Sequence, residues 1–202
     1  MFPDFTSAPT LLAAAAVLGY LFGSIPFGLV IARVCGLGDL RQIGSGNIGA
    51  TNVLRTGNKP AAAATLVLDS GKGAIAVLIA RFAIGPDAAQ IAGLAAFFGH
   101  CFPIWLKFNG GKGVATYLGT MLALFWPAGI ACCLSWLVTA KTLKISSLSA
   151  LVAAALGPIW AYVLGAPQLV GLAIALAVLI YYRHAANISR LMGGTEPKIG
   201  QK

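Results

Sequence analysis

Long apolar runs alternate with short polar connections along the chain, and the runs have the length of membrane spans. A hydrocarbon core about 30 Å thick needs roughly 20 helical residues at about 1.5 Å each. Residues 9–32, 60–85, 88–106, 147–164 and 166–182 reach or approach that length. Pro26 predicts a kink in the first run, where Gly19, Gly23, Ser24 and Gly28 supply small residues for close helix packing. The second run carries Asp69, Ser70 and Lys72 in its interior. These are too costly to face lipid, so they are expected to face the bundle. Residues 113–140 are long for one span and short for two. A turn at Pro127-Ala128-Gly129 would divide them into two short spans and bring the total to seven.

The distribution of positive charge favours the division. With seven spans, Arg33, Arg41, Arg55, Lys59, Lys107, Lys112, Lys141, Lys144, Arg183, Arg190, Lys198 and Lys202 share one side, while Arg81 lies near the other. A single span would put Lys141 and Lys144 opposite the earlier basic loops, against the positive-inside rule. The expected fold is therefore an all-α integral membrane protein, a seven-transmembrane-helix bundle with its N-terminus outside and its C-terminus cytoplasmic. Residues 1–202 form a single domain in this reading, functional as a monomer. The first run lacks a basic region ahead of it and a cleavage site after it, so it reads as a retained span.

Composition agrees. Hydrophobic residues make up 58% and charged residues only 9%, with a mean hydropathy of +0.86. A soluble domain carries about 25% charged residues. The net charge of +9, from 14 Lys/Arg against 5 Asp/Glu, would suggest nucleic acid in a soluble chain. Here the basic residues sit in connections, which points to membrane orientation and anionic substrates, with no nucleic-acid partner. Cys35, Cys101, Cys132 and Cys133 lack metal-ligand spacing and read as ordinary thiols.

The chemistry concentrates in the connections on the basic side. Residues 40–58, LRQIGSGNIGATNVLRTGN, combine Gly44, Gly46 and Gly49 with Ser45, Asn47, Thr51, Asn52, Arg41 and Arg55. Glycines let successive N–H groups converge as an anion-binding nest, and arginine supplies a planar fork suited to phosphate. A second glycine group, Gly110-Gly111-Lys112-Gly113, precedes a helix and repeats that chemistry. It is not a Walker A loop, since Lys112 is followed by Gly113 and no strand precedes it. The final connection holds Arg183, His184, Asn187 and Arg190, then Glu196 and Lys198. On a helix His184 and Asn187 share a face, and His184 is the candidate proton acceptor with Asn187 orienting the reactants. Arg183 and Arg190 read as interfacial anchors. Glu196 and Lys198 read as a pair with each other, or as groups ordering the tail over the site. No carboxylate cluster suggests a catalytic metal, and no cofactor is expected. No GxSxG elbow is present, so Ser45 reads as a hydrogen-bonding group rather than a nucleophile.

Four segments in order, GSIPFG at 23–28, GSGNIGATNVLRTG at 44–57, GHCFPIWLKFNGGKGVAT at 99–116 and RHAANISRLMGGTEPKIG at 183–200, closely resemble the bacterial membrane glycerol-3-phosphate acyltransferases that use acyl phosphate, the PlsY family. The resemblance covers nearly the whole chain. It implies a seven-span enzyme of the bacterial cytoplasmic (inner) membrane, acting at the cytoplasmic face in phospholipid synthesis. It would transfer a fatty acyl group from acyl phosphate to the sn-1 hydroxyl of glycerol 3-phosphate, giving lysophosphatidate and inorganic phosphate, with the hydroxyl proton passing either to His184 or to a substrate phosphate oxygen whose geometry His184 and Asn187 hold. The family's motifs fall here on Ser45, Asn47 and Arg55, on the glycine group with Lys112, and on His184 and Asn187, with Lys198 in the tail that follows. Asn109 departs from the Lys of many relatives. An anion transporter or a non-catalytic lipid-binding protein would share the basic face, and the motif order weighs against both.

Overall fold

The computed structural model describes residues 2–200; Lys202, one of the basic residues assigned to the cytoplasmic side, lies outside the described residues. Among the described residues the chain is helical with no strand. The helices are α1 (Pro9–Gly23), α2 (Phe27–Val34), α3 (Ala50–Leu54), α4 (Lys59–Ala83), α5 (Pro86–Cys101), α6 (Val114–Leu124), α7 (Trp126–Leu143), α8 (Ser146–Val163), α9 (Val170–Arg183) and α10 (Ala185–Met192). Four segments are long and apolar enough to cross a membrane: Pro9–Val34, Lys59–Ala83, Pro86–Leu106 and Ser146–Val163. A fifth, Pro167–Arg183 with Ala185–Met192, is bent by 65°.

The packing of α4 suits a hydrocarbon solvent, with mostly small and polar residues inside and large apolar residues outside. Along α4 the buried positions are Ala61, Ala62, Thr65, Asp69, Lys72, Gly73, Ala76, Val77 and Ala80. Val67, Ile79 and Phe82 point outward, Phe82 being 84% exposed. Lipid tails give helices no hydrophobic reason to associate, so close backbone approach and polar contacts hold them together. A Cβ on Gly23 would lie 2.1 Å from the Ala96 carbonyl oxygen, which explains a small residue where α1 crosses α5. Asp69 and Lys72 do face the bundle: Lys72 Nζ lies 2.9 Å from Asp69 Oδ1 and donates to the Ile25 carbonyl at 2.8 Å. That carbonyl is exposed by the break at Ser24–Pro26, so the kink expected at Pro26 is a real interruption with a partner.

Residues 113–140 divide earlier than the sequence suggests. Phe125 ends α6 and caps α7, and Pro127 falls in the first turn of α7. Proline is tolerated there because that turn's N–H groups have no intrahelical acceptor. α6 has 11 residues, about 16 Å of helix, short of a hydrocarbon core. It runs parallel to α4, because Thr116 meets Asp69 at one end and Arg81 meets Ala123 and Leu124 at the other. Arg81 donates to those two carbonyls at 2.9 and 2.6 Å, closing the C-terminus of α6 with a cation.

Three links gather the polar connections at one end of the bundle. Thr51 and Ser146 hydroxyls are 3.3 Å apart, Lys112 reaches Asn187, and the Ile199 N–H donates to the Lys144 carbonyl at 2.6 Å.

Candidate active site

At that end lies a cavity of about 610 Å³ lined by both polar and apolar side chains. Its lining includes Ser45, Asn47, Arg55, Lys112, Gly113, His184 and Asn187, so three separate stretches of sequence converge on it. Apolar lining comes from α4, α6 and α7 through Leu66, Leu118, Trp136 and Leu137, with Asp69 and His100 also reaching the cavity.

The first wall is organised by a side chain that the sequence offered only as one of several hydrogen-bonding groups. Asn52 is buried, and its amide donates to the carbonyls of Leu40 at 2.8 Å and Asn47 at 2.7 Å. Its Oδ1 accepts from the Ser45 N–H at 3.3 Å and from Arg55 Nη1 at 3.2 Å. One amide therefore sets the positions of Ser45, Asn47 and Arg55 together. Gly44, at φ +53°, permits the turn, and a Cβ there would strike both Arg55 and Asn52 at 2.6–2.7 Å. Arg41 turns away, held by Asp39 at 3.0 Å.

The second wall is less of an anion nest than its glycines suggest. The N–H groups of Gly110 and Gly111 donate to the Cys101 and His100 carbonyls at 3.1 and 3.0 Å, so they do not open into the cavity. Neither glycine lines it, whereas Lys112 and Gly113 do. The Gly111 position must be glycine because a Cβ would meet His100 Nε2 at 2.1 Å. The loop is a tightly packed platform that presents the Lys112 ammonium to the cavity.

The third wall joins α10 and the tail. Lys112 Nζ donates to Asn187 Oδ1 in a short hydrogen bond, and Asn187 Nδ2 donates to Glu196 Oε1 at 2.6 Å. Ser147 also donates to that oxygen, at 2.7 Å, while Arg190 Nε meets Oε2 at 2.7 Å. Arg190 is thus an ion partner of Glu196, a role beyond the interfacial anchor expected from the sequence. Lys198 is exposed on the tail and is not among the side chains lining the cavity. Glu196 does hold the tail over the site. His184, just beyond the end of α9, is buried with Nδ1 2.8 Å from the Ile180 carbonyl. A carbonyl only accepts, so Nδ1 carries the proton and Nε2 is left as an acceptor.

Burial sets the electrostatics. It pushes Lys112 down to about 8; Glu196 opposes the fall, and Arg190, Arg183 and Arg55 add to it. Burial also pushes His184 down to about 4, against the hydrogen bond to Ile180, and Lys112 contributes to the fall. Burial raises Glu196, but hydrogen bonds from Ser147, Asn187 and Arg190 outweigh it and hold the carboxyl below its ordinary value. At neutral pH Lys112 therefore presents an ammonium, His184 a neutral imidazole and Glu196 an anchored carboxylate. Among the described residues the four cysteines are free thiols, and no group of three His, Cys, Asp or Glu could hold a metal ion.

The family described as glycerol-3-phosphate acyltransferase matches residues 13–194. A glycerol-3-phosphate acyltransferase of Cereibacter sphaeroides is 64% identical over 99% of this chain and 95% of its own length. That of Dinoroseobacter shibae is 64% identical over 99% and 98%. The crystal structure of PlsY (YgiH), an integral membrane glycerol 3-phosphate acyltransferase in its glycerol 3-phosphate form, has a TM-score of 0.88 at 39% identity, covering 94% of this chain and 96% of that one. Its lysophosphatidic acid form gives 0.87 at 38%. Matches of this reach and identity make the chain a member of the glycerol-3-phosphate acyltransferase family of the PlsY type.

Proposed function

We propose that this acyltransferase moves a fatty acyl group from acyl phosphate to the sn-1 hydroxyl of glycerol 3-phosphate, releasing 1-acyl-glycerol 3-phosphate and inorganic phosphate. The observation that carries the reading is the cavity's lining, which brings cations from two separate stretches, Arg55 and Lys59 from one and Lys112 from the other, together with apolar side chains from between the helices. Two phosphate-bearing reactants need two cationic supports, and an acyl tail needs an apolar groove. Ser147 donates to Glu196, but that carboxylate is also held by Asn187 and Arg190, so it is committed to anchoring the tail. Ser45 has no base near it among its hydrogen bonds, which fits direct attack on a donor that is already a mixed anhydride.

In the proposed step the glycerol hydroxyl oxygen bonds to the acyl carbon as the bond from that carbon to the phosphate-bearing oxygen breaks. The hydroxyl proton leaves with phosphate as its hydrogen form. Lys112 and Arg55 hold the charge that develops on the phosphates, and Ser45 and Asn47 orient them. His184, with its pKa pushed to about 4, is a weaker base than a phosphate oxygen, whose second pKa is about 6. We therefore assign the proton to a substrate phosphate, with His184 accepting a hydrogen bond from the hydroxyl and Asn187 fixing Lys112. Gly113 shapes the cavity, Gly110 and Gly111 support it, and Lys198 adds positive charge to the tail.

The topology follows the same reading. α1 with α2, α4, α5, α6, α7, α8 and α9 make seven passes through the bacterial inner membrane, with α6 and α7 as the divided pair. Arg55, Lys59, Lys112, Lys144, Arg183 and Arg190 gather at the cavity end, which supports a cytoplasmic site, an external N-terminus and a cytoplasmic C-terminus. The enzyme works as a monomer, since the three walls come from one chain. The test is a purified-protein assay with glycerol 3-phosphate and one donor at a time: acyl phosphate, acyl-CoA or acyl-carrier protein. Product from acyl phosphate alone is expected, and product from a thioester donor alone would exclude the proposed donor.

A further inference from the structure

Arg183 has a task that neither anchoring nor substrate binding explains. Its Nη2 donates to the Gly110 carbonyl at 2.8 Å and its Nε to the Gly111 carbonyl at 3.1 Å. The guanidinium lies 5.2 Å from the Phe102 ring centroid, stacked at the other end of the same loop. Arg183 is half-buried and does not line the cavity. The loop it grips is under conformational load: Lys107 and Phe108, consecutive non-glycine residues, have φ of +51° and +63°. With the Gly110 and Gly111 N–H groups already given to Cys101 and His100, Arg183 completes the hydrogen bonding of both residues.

We infer that Arg183 is a positioning residue for acyl transfer, fixing the main chain that carries Lys112 through a forked grip on the carbonyls of Gly110 and Gly111. The junction of α9 and α10 then holds the loop at two points. Arg183, at the end of α9, takes its backbone, and Asn187, on α10 beyond the bend, takes the Lys112 ammonium. Lysine cannot replace the fork, because a single ammonium lacks the planar pair of donors that spans two carbonyls.

The kinetic side of the inference rests on the proposed transfer reaction; the conformational side does not. In purified enzyme, Arg183→Lys keeps the charge and loses the fork, and Arg183→Gln loses both. A displacement near 1 Å can cost about 100-fold in rate, so kcat should fall roughly 10- to 100-fold in Arg183→Lys, with KM for each phosphate substrate changing less than about 3-fold. Amide hydrogen exchange across residues 110–112 should accelerate at least about 10-fold in the same variant, with exchange in α4 and α5 unchanged. Arg33→Gln, which removes a basic residue from the last turn of α2, serves as the anchoring control and should keep activity within about 2-fold. Unchanged loop exchange in Arg183→Lys overturns the inference, as does an equal loss in Arg33→Gln. If Arg183→Gln does not fold, Arg183→Lys carries the test alone. Should wild-type protein fail to use acyl phosphate, the donor reading falls while the exchange measurement still decides the role of Arg183.

Discussion

Raising the pH through 8 should switch off the enzyme without loosening its fold through the same group. Lys112 titrates near 8 instead of its ordinary 10.5 because its ammonium is half-buried beside Arg190, Arg183 and Arg55, with only Glu196 opposing them. A group with that pKa is about 90% charged at pH 7 and about 10% charged at pH 9. The value of kcat/KM follows the free enzyme, so it should fall close to 10-fold per unit above pH 8. Stability moves the other way. Between the folded value of about 8 and the unfolded 10.5, the unfolded chain binds more protons, so rising pH favours the native state through this group. Below 8 both states hold the proton and the contribution no longer changes. Initial rates of phosphate release at low substrate, run beside thermal unfolding at each pH, should therefore diverge. Lys112→Arg, whose guanidinium keeps its charge beyond pH 12, should lose the alkaline limb whatever its absolute rate. The same limb in wild type and Lys112→Arg, or a flat wild-type profile to pH 9.5, would refute the assignment of that charge to Lys112.

Other variants probe the remaining walls. Asn52→Ala removes the amide that ties Ser45, Asn47 and Arg55 together; unpaired buried groups cost about 1–3 kcal/mol, so a lowered thermal midpoint should accompany a raised KM for glycerol 3-phosphate. Glu196→Gln removes the one anion that supports the Lys112 ammonium, and its alkaline limb should move to lower pH, read from the same rate profile. His184→Asn should cost about 10-fold in kcat, the scale of a lost hydrogen bond, and not the 10²–10⁴ of a removed general base. A loss at the upper end would return the proton to His184.

Much of this site was legible because membrane physics restricts the choices. Asp69 and Lys72 had to face inward, since hydrocarbon solvates neither, and their 2.9 Å contact follows. The convergence of residues 40–58, 107–113 and 183–198 was readable from the one-sided placement of Lys and Arg. Side-chain direction was not. Whether Arg183 and Arg190 snorkel outward or turn inward depends on the loop and tail beside them, and both turn inward. Glycine has two uses that look alike in sequence: Gly110 and Gly111 permit close packing against His100 and Pro103, where an exposed amide nest had been expected. Asn52 offered only its position beside Thr51 in a polar stretch, because its four hydrogen bonds come from the closed shape of the loop. The early break at Phe125 was hidden by Pro127, which marks the first turn of a helix as readily as a hairpin.

Direct transfer between two phosphate-bearing substrates is tested most sharply by isotope exchange. Purified enzyme, acyl phosphate and labelled inorganic phosphate are incubated without glycerol 3-phosphate, and label is sought in the acyl phosphate pool. With no acyl-enzyme to accept phosphate back, no label should enter until the acceptor is supplied, when phosphate and 1-acyl-glycerol 3-phosphate should appear in equal amounts. Label entering acyl phosphate in the absence of acceptor, at a rate comparable to turnover, would reveal a covalent intermediate and contradict the direct mechanism.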